Sequence, residues 1–374
     1  MKKLLFLTLF AVCSIVSALP QKSDKISRVL EYRPAPGQHI NRMFPPPELS
    51  DTYENALKFA NDCLVGNKSM LGLGSFGGYV IVGFDHSIIN IKNEYDFKGL
   101  GNAFPGSSEP GIVMVCQDLN KNGQPDENEP WYELAGSEYS NPQTIKNYEI
   151  TYFRPNPDKQ RKNISWKDNQ GQEGEISHIS FATQETMYPL WVKEDQITFK
   201  GTKLRNTAHD TSGKGTYWVL DAFDWGYIDN NSNADEITKN GFKIEWAVDA
   251  EGNPVELDYI DFIKVYTGQL QEAGWLGETS TEIVGIIDLH PDAIISNIDN
   301  TVIDNTNLLI TQNQITILDN SDEQYQSNIY SITGNLVISN VNTKHIDISG
   351  LPSGVYLIRI KTPNNLFTQK FIKR

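Results

Sequence analysis

The sequence predicts an all-β protein: a large jelly-roll-like β-sandwich followed by a small immunoglobulin-like one. Three observations carry that expectation. Short runs rich in β-branched and aromatic residues recur along the chain, among them Tyr79–Phe84, Ile88–Ile91, Ile112–Val115, Tyr148–Phe153 and Ile260–Tyr266. Clusters of Gly, Pro, Asn and Asp separate them. Helical periodicity is scarce. It shows over Thr52–Leu64, where Tyr53, Ala56, Leu57 and Ala60 share one face and Asp51 is an available cap.

Charge and composition exclude several classes. Forty-seven acids against 32 Lys plus Arg give a net charge of −15 over 374 residues, which argues against a nucleic-acid or anionic-membrane footprint. Sixteen Tyr, 16 Phe and 7 Trp supply enough apolar surface to exclude a wholly disordered acidic chain.

The order of segments follows from local texture. Lys2 and Lys3 precede an apolar stretch ending in Val16-Ser17-Ala18, so residues 1–18 read as a secretory signal peptide. Val12 stands before Cys13 where a lipoprotein signal wants a small residue. Removing the signal leaves 47 acids and 30 bases, about −17. Residues 19–50, with Pro34-Ala35-Pro36-Gly37 and Pro45-Pro46-Pro47, read as an extended lead-in. The large sandwich is expected over 51–295, an Asn/Asp-rich linker over 296–307 and the small sandwich over 308–374. Ser331-Ile-Thr-Gly-Asn335 between two strand-like runs reads as a hairpin. Two cysteines remain, Cys63 and Cys116; export permits a disulfide between them, and buried free thiols fit equally well.

The sharpest chemical motif is Asp118-Leu-Asn120-Lys-Asn122-Gly123-Gln124-Pro-Asp126-Glu-Asn-Glu129, an ungapped fit to D-x-[DN]-x-[DN]-G-x5-E. Side-chain oxygens of Asp118, Asn120 and Asn122 converge at positions 1, 3 and 5. Gly123 makes the bend, Gln124 offers its carbonyl, Asp126 reaches position 9 and Glu129 closes with two oxygens. Hard oxygen donors select Ca2+ over zinc or copper. Strand-like flanks make this a structural clip rather than a sensor that opens a groove, and a solvated Asp/Asn turn without metal is the alternative. A second cluster, Asp229, Asn231, Asn233 and Asp235, repeats the 1, 3, 5, 7 spacing without the glycine; a second calcium site and a polar loop both fit.

Trp218, Trp225 and Tyr227 lie near that cluster and either present a ligand-binding surface or fill the core. Asp85-His86-Ser87 is not a catalytic triad, because neighbours on a strand point to opposite faces. His209-Asp210 is a more exposed pair with no marked nucleophile. No catalytic residue is assigned. Carboxylate pairs that meet only in space remain open.

Two resemblances extend this reading. Asn328-Ile-Tyr-Ser-Ile-Thr-Gly-Asn335, Ile348-Ser-Gly-Leu-Pro-Ser-Gly-Val-Tyr-Leu-Ile-Arg-Ile360 and the basic end Phe367–Arg374 resemble the type A C-terminal sorting domain of the Bacteroidetes type IX secretion system. That resemblance implies a chain handled by the secretion machinery, carried to the outer cell surface and usually cleaved before the domain. Leu73–Ser87, Trp131–Glu138, Phe242–Asp249 and Asp258–Tyr266 look like a jelly-roll cell-surface protein family of Bacteroidetes. Members often neighbour outer-membrane uptake receptors, which implies capture of a ligand such as a glycan or a corrinoid. A glycan-active enzyme and a purely structural surface protein are the alternatives.

Overall fold

The computed structural model describes residues 22–41, 52–156, 160–180, 182, 184–296, 307–318, 326–361 and 366–373. The expected signal peptide and nearly all of the expected linker lie outside these residues.

The centre of the large domain is a six-stranded antiparallel sheet. Its strands run Arg28–Arg33, Tyr79–Ile89, Tyr259–Thr267, Gly111–Cys116, Tyr132–Leu134 and Ala247–Val248 in spatial order. Val82 pairs with Ile263, and Val265 with Val113. One face, carrying Val80, Val82, Val113, Val115, Ile263 and Val265, packs on a helix and on a three-stranded sheet. That sheet orders Gly241–Phe242, Phe97–Leu100 and Gly285–Asp288, and the Phe97 and Phe242 rings stack at 5.1 Å. Through Ile112 and Tyr266 the opposite face joins Tyr148, Ile150, Tyr152, Ile197 and Phe199 of a four-stranded sheet, Gln196–Lys203, Ile145–Phe153, Ile164–Asp168 and Glu173–Ile176. Each such apolar side chain, fully buried, contributes about 1.5–3 kcal/mol before entropy is counted.

Cover on both faces explains why the first half of the Tyr79–Ile89 strand, Tyr79–Phe84, is apolar without a break rather than alternating. The helix spans Tyr53–Leu64 and buries Ala56, Ala60, Cys63 and Leu64. Thr52 caps it, its side chain accepting the Asn55 N–H at 3.4 Å, while Tyr53 is left 44 % exposed. The Pro-rich lead-in is more than an approach. Arg28–Arg33 is an edge strand of the central sheet, and buried Tyr32 donates its hydroxyl to the Gly72 carbonyl at 2.8 Å. Cys63 and Cys116 are both free and buried, and burial pushes each thiol up to about 12.

The C-terminal unit is a sandwich of two four-stranded sheets over Ile315, Ile317, Ile329, Ile346, Ile358, Ile360 and Phe371. The first orders Ile294–Ser296, Asn307–Ile310, Gln314–Leu318 and His345–Asp347. Its first strand straddles the boundary expected between the large sandwich and the linker. The second orders Leu336–Val341, Gln326–Ser331, Gly354–Lys361 and Leu366–Lys373. The expected hairpin closes with the Ser331 N–H on the Asn335 carbonyl at 2.8 Å and Gly334 at φ +86°. Leu309 and Leu318 pack with Ile89, Ile91 and Ala293, so the first sheet is also covered from outside by the large domain.

Candidate functional site

Strand Gly111–Cys116 leads into the Asp118–Glu129 loop and Tyr132–Leu134 leads out, paired through Met114 and Glu133. Asp118 winds the loop. Its Oδ2 accepts the Gly123 N–H at 2.7 Å and its Oδ1 the Asn122 N–H at 3.0 Å. Asn120 Oδ1 accepts the Asn122 N–H and Asn122 Oδ1 the Gln124 N–H, with Lys121 and Gly123 at φ +60° and +79°. Glu129, 4 % exposed, closes the ring: Oε1 accepts Leu119 and Asn120 N–H groups and Oε2 the Asp126 N–H. Asn120 and Asn122 donate side-chain N–H groups to Asp126 Oδ2 at 2.6 and 2.7 Å.

The donor set fits calcium. Its side chains are carboxylates and amides, the hard oxygen donors that calcium takes. Asp261, from the neighbouring strand, adds acid behind the loop: Oδ2 accepts the Asp118 N–H and Oδ1 the Ser87 hydroxyl. Burial, reinforced by the charges of Asp118 and Glu129, holds the Asp261 carboxyl above its usual range.

A second acidic centre was not visible in the sequence. Oxygens of Glu109, Asp229 and Glu282 lie within 4.8 Å of one another, the one such group among the described residues. Asp229 and Glu282 are 2 % and 6 % exposed. Asp229 sits at φ +59°, held there by its own contacts: Oδ1 accepts the Asn102 and Ala103 N–H groups at 2.7 and 2.8 Å, and Oδ2 the Glu282 N–H at 2.8 Å. Gly101 is required, because a Cβ there would meet Asp229 Oδ1 at 2.4 Å. Ser280 donates its hydroxyl to Glu282 Oε1. Burial and then the Glu282 charge push the Glu109 and Asp229 carboxyls well above the ordinary carboxylate range. Three acids this close resolve their repulsion by sharing protons or by holding a cation, and an all-carboxylate set suits calcium or magnesium.

The loops around this centre are laced together. Leu220 donates its N–H to the Gly106 carbonyl, and Gln271 Oε1 accepts the Thr207 and Ala208 N–H groups. A Cβ at Gly274 would strike the Trp218 ring at 2.2 Å, so that glycine seats the indole. Asp210 organises the turn between Ala208–Asp210 and Trp218–Leu220, accepting from the Ser212 hydroxyl and from Gly215 and Tyr217 N–H groups, which hold its carboxyl below the usual range. These loops expose Phe104 (62 %), Tyr217 (65 %) and Trp275 (54 %).

The expected aromatic surface divides. Trp218 is half-buried on Gly274, and Trp225 packs on Trp246 at 4.5 Å. Tyr227 belongs to the core: 2 % exposed, packed on Phe223, with its hydroxyl accepting the Glu138 N–H. Its ring lies where a side chain at Gly136 would be, which is why it cannot face a ligand. The second linear cluster also divides. Asp229 turns to Glu109 and Glu282, Asn233 binds both backbone groups of Gly101, Asp235 accepts the Ser232 N–H, and Asn231 is partly buried. His86 meets Asp85 and Asp288 while Ser87 donates to Asp261, so those three do not form a nucleophilic relay. Asp85 and His86 do touch, against the expectation for strand neighbours. His209 faces Asp221 at 3.4 Å rather than Asp210.

Residues 311–374 match the Secretion system C-terminal sorting domain family. The protein is accordingly an all-β secreted or cell-surface protein whose C-terminal unit is a type IX sorting domain handled by that secretion machinery. Among the described residues no helix is long and apolar enough to cross a membrane. No curated protein matches the chain. The solved Ruminococcus gnavus beta-glucuronidase is similar over 77 % of this chain at 11 % identity and a TM-score of 0.15. The match covers 46 % of that enzyme, and a likeness of this size carries no functional argument.

Proposed function

We propose that this protein is a calcium-stabilised surface module that binds an extracellular ligand, a glycan or a corrinoid, after export by the type IX system. The observation that carries the reading is the loop cluster beside Glu109, Asp229 and Glu282. Exposed Phe104, Tyr217 and Trp275 stand among loops whose backbones are tied down by side chains: buried Asp229 holds Asn102, buried Gln271 holds Thr207, and Asp210 holds Tyr217. Rigid loops with outward aromatic faces give a stacking surface at low entropic cost. The Asp118–Glu129 loop lies in another hairpin and has a supporting role, with calcium fixing the connection between two central strands. Delivery of bound ligand to an outer-membrane uptake receptor fits a surface protein of this build.

A glycan-active enzyme is the second reading. The acids lie closer together than the roughly 5–9 Å that separates glycosidase carboxyls, and Asp229 is committed to three backbone N–H groups. Titration of the full chain with glycan and corrinoid panels, in calcium and in chelator, tests the proposal. Saturable binding lost in Phe104→Ala with Trp275→Ala, without product, supports it. Product formation lost in Glu109→Gln contradicts it.

A further inference from the structure

The sorting sandwich has two outer faces, and they differ. Leu309 and Leu318 place the large domain against one sheet. The other sheet turns an apolar row outward. Cross-strand partners share a face. The registered set Leu336–Tyr330–Leu357–Lys370 therefore crosses all four strands on one side, with Val355–Ile372 in the adjacent row. Leu336 is 54 %, Leu357 37 % and Ile372 59 % exposed. Ile329, Ile358 and Phe371 on the same strands point to the core, so the outward residues are not needed to close the sandwich.

Charge separates this face from the rest of the protein. The four strands hold no acid; Arg359, Lys361 and Lys370 are exposed, while Lys373 is buried and donates to the Gln312 carbonyl. Residues 311–374 contain six bases and four acids, +2, whereas the whole chain is −15, which leaves −17 for residues 1–310. Arg359 lies over the Tyr330 ring at 5.8 Å and, with Lys370, places positive charge beside the apolar row. An apolar strip with basic neighbours, on a unit whose family role is sorting, meets its complement in an acidic surface with an apolar centre.

We propose that the outer face of the sheet Leu336–Val341, Gln326–Ser331, Gly354–Lys361 and Leu366–Lys373 is the docking surface by which the secretion machinery reads this cargo, through an apolar, acid-rimmed site on a machinery component. The sorting signal is then a folded surface rather than a terminal peptide. The proposal rests on the sorting assignment and is independent of the ligand-binding reading.

The experiment expresses the full chain in a host with a type IX system and measures its surface and periplasmic fractions. Leu357→Ser with Ile372→Ser, and separately Arg359→Glu with Lys370→Glu, should each cut the surface fraction at least tenfold. Folded chain, with unchanged melting temperature, should accumulate in the periplasm. Thr343→Ala, in a turn outside the face, should leave delivery intact. Normal delivery of the charge-reversed variant overturns the proposal, even if the apolar variant misfolds. Normal delivery together with loss of a dimer on size exclusion would assign the face to a second copy of the chain and equally overturn it.

Discussion

His86 Nε2 lies 2.7 Å from Asp288 Oδ2, while its Nδ1 lies 2.6 Å from Asp85 Oδ1. An imidazolium, with a proton on each ring nitrogen, donates to both carboxylates at once and suits this bridge. It ties the central strand Tyr79–Ile89 to the strand Gly285–Asp288 of the covering sheet. Burial and the Lys22 charge lower the imidazole pKa, and the two carboxylates outweigh them, leaving it raised. A raised histidine pKa adds stability that is complete below the ordinary imidazole range and is lost as pH climbs through the folded value. His86→Gln should cost about 1.5–3 kcal/mol at pH 5.5 and much less at pH 9. Equal losses at both pH values would show that the bridge is not charged.

The buried acids behave the same way in sign through a different cause. Glu109 and Asp229 have raised carboxyl pKa values, so their cost is absent below the ordinary carboxylate range and grows as pH rises through the folded values. In chelator, the melting temperature should fall between pH 5 and pH 8, and Glu109→Gln should flatten that fall. About 1 kcal/mol corresponds to roughly 2–4 °C in a domain of this size. Millimolar calcium or magnesium should flatten it in the natural chain and do little for Glu109→Gln. The same slope in both proteins, with and without cation, would remove the triad as a charge centre.

The two acidic sites show what sequence can carry. The Asp118–Glu129 motif is legible because a single loop supplies its oxygens: Asp118 holds the Gly123 N–H and Glu129 the Leu119 N–H, contacts at most ten residues apart. Glu109, Asp229 and Glu282 come from three distant segments, and Asn102, Ala103 and Glu282 backbones orient Asp229. A usable signal was present in Glu278-Thr-Ser-Thr-Glu282, a polar run that is buried throughout. The all-β class followed from strand texture. The second cover on the central sheet leaves a trace in Tyr79–Phe84, whose alternate positions are apolar on both faces, but six residues do not say what the covering element is. The edge strand Arg28–Arg33 was hidden by the prolines around it.

Surface aromatics and core aromatics should separate cleanly by mutation. Phe104→Ala and Trp275→Ala, at exposed positions, should change stability by under about 0.5 kcal/mol. They should also weaken ligand binding. Tyr227→Ala should cost about 3–5 kcal/mol through the cavity it leaves. Thermal melts beside ligand titrations check both, and a ligand-binding loss in Tyr227→Phe at full stability would contradict its placement in the core.

Export should leave a record in mass. The surface-located product should lack residues 1–18 and the sorting unit from about residue 300. Intact-mass measurement of protein shed from the surface decides it. A chain still ending at Arg374 and retained in the cell would contradict processing.

Metal content paired with melting temperature tests directly whether the folded chain holds calcium. The purified full chain, dialysed from millimolar calcium, should retain at least one calcium and lose several degrees on addition of chelator, as ligand bound only to the folded state must produce. Asp118→Ala with Glu129→Ala should melt lower in calcium and lose the chelator-sensitive increment due to the Asp118–Glu129 loop. Absence of calcium from the natural chain, or a double variant with an unchanged chelator response, would contradict the account.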